Sequence, residues 1–281
     1  MERKSLKKLV RKALEEDVDR GDLTTRLIVP EDARCTVALV AKQDGRLSGI
    51  EVFRAVFRAA DAEMDDWEAV ADGHAFKNGD VVASFLGRTC GVLTGERTAL
   101  NFVQHLSGVA TLTAAYVSAL DGQEARICDT RKTTPFLRTL EKEAVLHGGG
   151  INHRRTLHDG ILVKDNHIEA AGGIAQAVAA AQQGTHHLMK IEVEVGTISE
   201  FQEALDTKAD VIMLDNMTDD EMREAVALAK GTRVTLEASG NMTLDRVRGV
   251  AETGVHYISV GALTHSAPSV DLSLQIAAAK D

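Results

Sequence analysis

The chain has 281 residues, enough for one large domain or two ordinary ones, each with a sizeable core. Its 32 Lys plus Arg against 42 Asp plus Glu give a formal net charge of −10, which excludes a generally basic surface for nucleic acid or anionic membrane. With 44% hydrophobic residues and only 3 Pro it also excludes a disordered or low-complexity chain, so every region is expected to fold.

The N-terminus is basic, but Leu6, Leu9, Val10, Leu14 and Val18 fall at helical spacing and Glu15, Glu16 and Asp17 follow. This predicts an amphipathic opening helix with Ser5 as its cap. There is no uninterrupted apolar stretch of export-signal type, and none near 18 residues, so a cytoplasmic location is expected. Cys35, Cys90 and Cys128 form no C-x-x-C pair and read as reduced, mostly buried thiols. Residues 1–120 read as an N-terminal α+β sandwich domain. Strands are expected at Cys35 to Ala41 and Val81 to Leu86, and a long helix from Thr98 to Leu120. A C-terminal helix over 271–281 is expected to complete that domain.

From Arg126 the texture changes to a repeat of one short apolar run followed by a helix-period segment. The runs are Ala125 to Cys128, Ile161 to Val163, Ile191 to Val195, Val211 to Leu214, Val234 to Leu236 and Tyr257 to Val260. Polar or glycine residues stand at their ends: Arg131 and Lys132, Lys164, Glu194, Asp215, Ser239 with Gly240, and Gly261. From Lys164 the gaps are 30, 21, 24 and 22 residues, each about one strand, one helix and two loops. Parallel strands joined by right-handed crossovers put their carboxyl ends on one side, where (β/α) barrels carry their active sites. Six units rather than eight predict an α/β fold with an incomplete (β/α) barrel over 121–270. An open doubly wound sheet is the alternative, but no strand is followed by G-x-G-x-x-G.

Between Arg126 and Lys164 stand eight cationic and four acidic side chains, a local +4 that leaves −14 for the rest. Arg grips carboxylate or phosphate through two bonds and Lys is a point charge suited to phosphate. Arg131, Lys132, Arg154 and Lys164, with the hydroxyls of Thr130, Thr133 and Thr134, therefore suggest a ligand bearing several negative groups. Arg138, Lys142 and Arg155 read as solvated surface charges. His147, His158, His167, His186 and His187 have no metal spacing, and Met213 reads as core.

The strings ERTALN (96–101), DTRKTTP (129–135), EKEAVLHGGGINHR (141–154), ILVKDNHI (161–168), EVEV (192–195), IMLDN (212–216), EASG (237–240) and VGALTHS (260–266), with GDLTT at 21–25, span nearly the whole chain. In order and spacing they resemble the quinolinate phosphoribosyltransferases, also called carboxylating nicotinate-nucleotide pyrophosphorylases. The resemblance implies transfer of phosphoribose from 5-phosphoribosyl 1-pyrophosphate to quinolinate, with release of pyrophosphate and carbon dioxide, giving nicotinate mononucleotide for NAD synthesis. It further implies that Arg97, Arg131, His153 and Arg154 surround quinolinate, with Arg97 supplied by a neighbouring subunit of a homodimer or larger oligomer. Lys132 and Lys164 are implied to meet quinolinate or pyrophosphate, and Glu194 and Asp215 to hold the ribose hydroxyls, directly or through Mg²⁺. Thr130 is implied at the substrate, and Ser239, Gly240, Gly261 and Ala262 at the 5′-phosphate.

The chain departs from that family's pattern at Phe136 and Asn241, where Gly is common, and at Glu143, where an aromatic is usual. Three alternatives therefore stay open: a transferase of the same fold acting on nicotinate, a transport-linked homologue, and a phosphate-ester-binding protein without catalysis.

Overall fold

The computed structural model describes residues 3–279; residues 1, 2, 280 and 281, at the ends of the expected domains, lie outside the described residues. It divides into two compact units. The first holds the chain up to Ala114, Thr134–Gly149 and the chain from Ala267, and the second holds Ala115–Thr133 and Gly150–Ser266. The units depart from the expected division at 120 in two places: 115–120 falls in the second unit and 134–149 in the first.

In the first unit a four-stranded sheet has the order Leu272–Ala278, Arg34–Ala41, Val81–Arg88, Asp65–Ala69. Cys35, Val37 and Leu39 are buried at period two, as expected for a half-buried strand. The helix Ile50–Ala59 buries Ile50, Phe53 and Phe57 along one stripe and Val52 and Val56 beside it. Phe53 and Phe57 meet edge-on at 5.0 Å, and Phe57 lies 5.1 Å from Phe85 of the sheet, so aromatic contacts join helix to sheet.

Three expectations are corrected here. The opening helix already runs at Arg3, so Ser5 lies inside it and caps nothing. The segment expected as a helix over 271–281 is a strand, Leu272–Ala278, paired antiparallel with Arg34–Ala41 from Leu272 opposite Ala41 to Ala278 opposite Cys35. Its alanines favour a helix locally, but Leu272, Leu274 and Ile276 alternate at period two and a seven-residue ladder outweighs weak propensities. Lys142, expected in solvent, is 2% exposed, on a helix Arg138–His147 whose Glu141 is also buried.

The long helix is Thr89–Leu120, nine residues earlier than expected at its start. Gly108 on it is required by close approach: a Cβ there would stand 2.2 Å from the carbonyl oxygen of Pro268.

The second unit is built on a six-stranded parallel sheet in the order Arg126–Cys128, Tyr257–Ser259, Thr235–Ser239, Val211–Asp215, Ile191–Val195, Ile161–Val163. All six expected runs are strands. Ile127, Val193, Ile212, Leu214, Leu236, Ala238 and Ile258, on one face, are each 1% exposed or less, and Leu162, Glu192, Met213 and Glu237, on the other, are buried too, so the sheet is covered on both faces. Among the described residues the two outer strands do not pair with each other, which leaves the barrel incomplete. No helix among the described residues is long and apolar enough to cross a membrane.

Candidate active site

Parallel pairing puts every strand's carboxyl end on one side, so the polar residues predicted at the run ends share a mouth. Lys164 caps Ile161–Val163 and its Nζ donates to Glu194 Oε2 on the neighbouring strand. Asp215 ends Val211–Asp215 opposite Ser239, and the Asn216 N–H donates to the Ser239 carbonyl at 3.0 Å. The Asn216 Nδ2 donates to Asp215 Oδ2 at 2.7 Å, and Asn241 Nδ2 donates to Asn216 Oδ1 at 3.1 Å, so two amides in series fix the Asp215 carboxylate. Gly240, at φ +91°, passes so near that a Cβ would lie 2.2 Å from Asn216 Oδ1. Only glycine fits.

Lys132 comes to Gly261, where an added Cβ would touch Lys132 Cδ at 3.0 Å, and Thr264 Oγ1 donates to the Lys132 carbonyl at 2.8 Å. Thr130 Oγ1 accepts the Lys132 N–H at 3.0 Å, so its hydroxyl shapes the loop that carries the cations. Ala262 opens the short helix Ala262–His265 after that glycine. Burial, followed by the Arg131 charge, lowers the Arg154 guanidinium from its usual pKa. Arg131 Nε is buried with no hydrogen-bond partner, as are the Nε atoms of Arg34, Arg46, Arg54 and Arg88. Of the predicted residues, Arg97, exposed on Thr89–Leu120, and Thr134 lie in the first unit; the others belong to the second.

Beneath the mouth lies a second polar layer, for which the sequence reading named no role. Side chains two residues apart on a strand share a face, so Glu192 stands below Glu194 and Glu237 below Ser239, and Ser259, at the end of its strand, and Asp129, just after Cys128, join them. All four are buried, Asp129 completely. His153 enters this layer: its N–H donates to Asp129 Oδ1 at 2.9 Å, and its Nε2 lies 2.9 Å from Glu192 Oε2 and 3.7 Å from Glu237 Oε1. Ser259 Oγ donates to Glu237 Oε1. Burial, followed by the charges of Glu192 and Asp129, pushes the Glu237 carboxyl well above its ordinary value. Ligand atoms of His153, Glu192 and Glu237 lie within 4.8 Å of one another, compact enough for a cation. Hydrogen bonds already join His153 to Glu192 and Ser259 to Glu237, while Glu192 Oε1 is buried with no hydrogen-bond partner.

Phe136 and Asn241, the departures from the resembled pattern, both have left-handed backbone, at φ +66° and +45°. That conformation explains why glycine suits both places.

An incomplete parallel barrel with strand-end cations, paired carboxylates and glycine loops defines a protein that handles phosphorylated, multiply anionic small molecules. Comparison with known proteins narrows the class. Residues 22–107 match the family model "Quinolinate phosphoribosyl transferase, N-terminal domain" and 109–275 match "Quinolinate phosphoribosyl transferase, C-terminal domain". The chain is 43% identical to the probable nicotinate-nucleotide pyrophosphorylase [carboxylating] of Bacillus subtilis, over 96% of this chain and 93% of that one. It is 41% identical to quinolinate phosphoribosyltransferase [decarboxylating] 1b of Nicotiana tabacum, over 96% and 82%. Among solved structures, NadC from Streptococcus pyogenes superposes with a TM-score of 0.94 at 40% identity, over 100% of this chain and 99% of that one. The chain belongs to the quinolinate phosphoribosyltransferase family. Human nicotinic acid phosphoribosyltransferase, at TM-score 0.62 and 15% identity, shares the fold alone.

Proposed function

We propose that the protein catalyses transfer of the phosphoribosyl group of 5-phosphoribosyl 1-pyrophosphate to quinolinate with decarboxylation, yielding nicotinate mononucleotide, pyrophosphate and carbon dioxide. The observation that carries this is a family match across both domains, together with a mouth whose charges fit two densely anionic substrates.

In this reading Arg131 and Arg154, with His153 beside them, receive the two carboxylates of quinolinate. Lys132 and Lys164 neutralise pyrophosphate or carboxylate charge, and Thr130 holds the Lys132 loop. Ser239, Gly240, Gly261 and Ala262 offer hydroxyl and backbone N–H groups to the 5′-phosphate. Loss of pyrophosphate develops positive charge at the anomeric carbon, so Glu194 and Asp215, at the ribose, stabilise an oxocarbenium-like transition state without a protein nucleophile. Alkylation of the ring nitrogen then stabilises the electron pair left on the adjacent ring carbon as its carboxylate departs as carbon dioxide, and that carbon takes a proton from solvent. Excluding water strengthens each of these fields.

Glu194 and Asp215 are oxygen donors at neighbouring strand ends and suit a hard cation, so they would hold Mg²⁺ entering with the donor. Bound there, Mg²⁺ would supply further charge neutralisation to the pyrophosphate. Arg97 is proposed to act across the interface of a homodimer or larger assembly, and the protein to work in the cytoplasm.

The test mixes purified protein with quinolinate, the phosphoribosyl donor and Mg²⁺ and follows nicotinate mononucleotide and carbon dioxide, with nicotinate run in parallel. Product from quinolinate is expected. Its absence, or turnover of nicotinate instead, would sink the reading.

A further inference from the structure

Three carboxylates beneath one histidine are an expensive choice for a sheet face whose register neighbours include the buried Leu162 and Met213. A buried carboxylate costs several kcal/mol unless it is paired. The layer therefore needs a reason. Each member has a partner that leads to His153: Asp129 takes its backbone N–H, Glu192 takes Nε2, and Glu237, steadied by Ser259, flanks the same nitrogen.

The other ring nitrogen is also engaged. Nδ1 accepts the backbone N–H of Arg154 at 2.8 Å, which requires that Nδ1 carry no proton and leaves the ring proton on Nε2, directed at Glu192. The Arg154 side chain is fixed in turn by Nη1 donating to the Gly160 carbonyl at 2.9 Å. With both nitrogens of His153 occupied, its hold on an anion passes through the residue that it orients. Glu192 also contributes charge, since it opposes the lowering that burial and Arg131 impose on Arg154.

We propose that Asp129, Glu192, Glu237 and Ser259 form an inner polar layer that locks His153 as the Nε2–H tautomer, making Glu192 and His153 positioning residues for the Arg154 guanidinium that receives quinolinate. This rests on the reading of the mouth as a quinolinate site. Because the proposed quinolinate grip uses the Arg154 and Arg131 guanidiniums together, a small error in the placement of Arg154 spoils it. The strand ends that meet the phosphoribosyl donor, Asp215, Ser239 and Gly261, are held by other bonds. Removing Glu192, whose hydrogen bond goes to His153, therefore acts on quinolinate and leaves the ties of Asp215 to Asn216 in place.

The test compares wild type, Glu192→Ala and Glu192→Gln. In Glu192→Ala the KM for quinolinate is expected to rise roughly 10- to 100-fold, the scale of a misplacement of about 1 Å, while the KM for the donor stays within about twofold. Glu192→Gln keeps an acceptor for Nε2–H and can donate its amide to Glu237, so it is expected to restore quinolinate KM to within about threefold of wild type. ¹⁵N spectra of the His153 ring should show protonated Nε2 and bare Nδ1 in wild type and Glu192→Gln.

An equal rise in both KM values, an unchanged quinolinate KM in Glu192→Ala, or a failure of Gln to rescue overturns the proposal. So does a divalent metal found at stoichiometric amount in the purified protein and lost on Glu192→Ala, which would make the triad a metal site. Should Glu192→Ala not fold, the ring spectrum of wild type decides, a proton on Nδ1 being the contrary result. A wild type inert toward quinolinate would refute the functional reading. The spectrum would still test the locked histidine separately.

Discussion

The two sheets use charge in opposite ways. The antiparallel sheet and its connections carry ion pairs on their exposed side: Arg34 with Asp65 at 2.5 Å, Arg88 with Asp61 at 3.1 Å, and Lys77 with Asp44 at 2.8 Å, the last 77% and 60% exposed. The parallel sheet places its charges at and below its carboxyl ends, where Lys164 meets Glu194 and His153 meets the buried Glu192. Pairs in water gain little because solvent screens them and ordering long side chains costs entropy. Charges in the low-dielectric end of a sheet act strongly on one another and on any ligand that joins them. Residue types alone do not separate these groups; their place on the strand does.

The comparison is broken most severely at Lys164 and Arg131. Lys164→Ala and Arg131→Ala are each expected to lower kcat/KM by about three orders of magnitude or more, the scale of removing a preorganised charge that meets charge developing in the transition state. The fold should survive, since Lys164 is 43% exposed at its side chain and ends a strand rather than filling the core. Steady-state rates and circular dichroism check both halves. Near-wild-type turnover in either variant would mean that the strand-end cations are as idle as those of the antiparallel sheet.

The mouth was legible from sequence because a charged residue after a short apolar run is anomalous in a buried parallel strand, and the spacing from Lys164 to Gly261 repeats that anomaly. The layer below was not. Glu237 and Ser239 follow an apolar run expected to end at Leu236, whereas the strand continues to Ser239. A strand that carries its own polar residues inward cannot be told from one that has ended. Ser259 hid inside a run read as apolar. The C-terminal strand was missed for the converse reason: a run of alanines carries helix propensity, and its pairing partner lies more than 230 residues away, beyond any local pattern. Lys142 shows that a charge beside a helix's apolar stripe is no guide to its exposure.

A middle-sized effect concerns Glu237. Its folded carboxyl titrates well above the ordinary value of 4.5, chiefly through burial, so the native state keeps a proton that the unfolded chain gives up. Native stability from this group is complete below about pH 4.5 and declines as pH rises from there toward the folded value. Glu237→Gln, which mimics the protonated acid in shape, removes that decline. The variant is expected to match wild type in melting temperature near pH 4.5 and to exceed it increasingly toward pH 8. Parallel curves across that range would show that the buried layer tolerates its charges without holding a proton.

The smallest effect belongs to the exposed pair of the first unit. Asp44 holds the Lys77 ammonium and, through its other oxygen, accepts the Asn78 N–H at 3.0 Å, so the turn keeps one of its two ties when the lysine is truncated. The pair shifts each partner toward its charged form, Asp44 downward and Lys77 upward, but both stand in water where salt competes. Lys77→Ala is therefore expected to leave kcat/KM unchanged and to move the melting temperature by about 1 °C at low salt, within the range of surface pairs. In 1 M NaCl even that difference should vanish. A loss of activity would give this charge a role that its solvation argues against, and the contrast between the two sheets would have to be redrawn around whatever ligand or subunit reaches it.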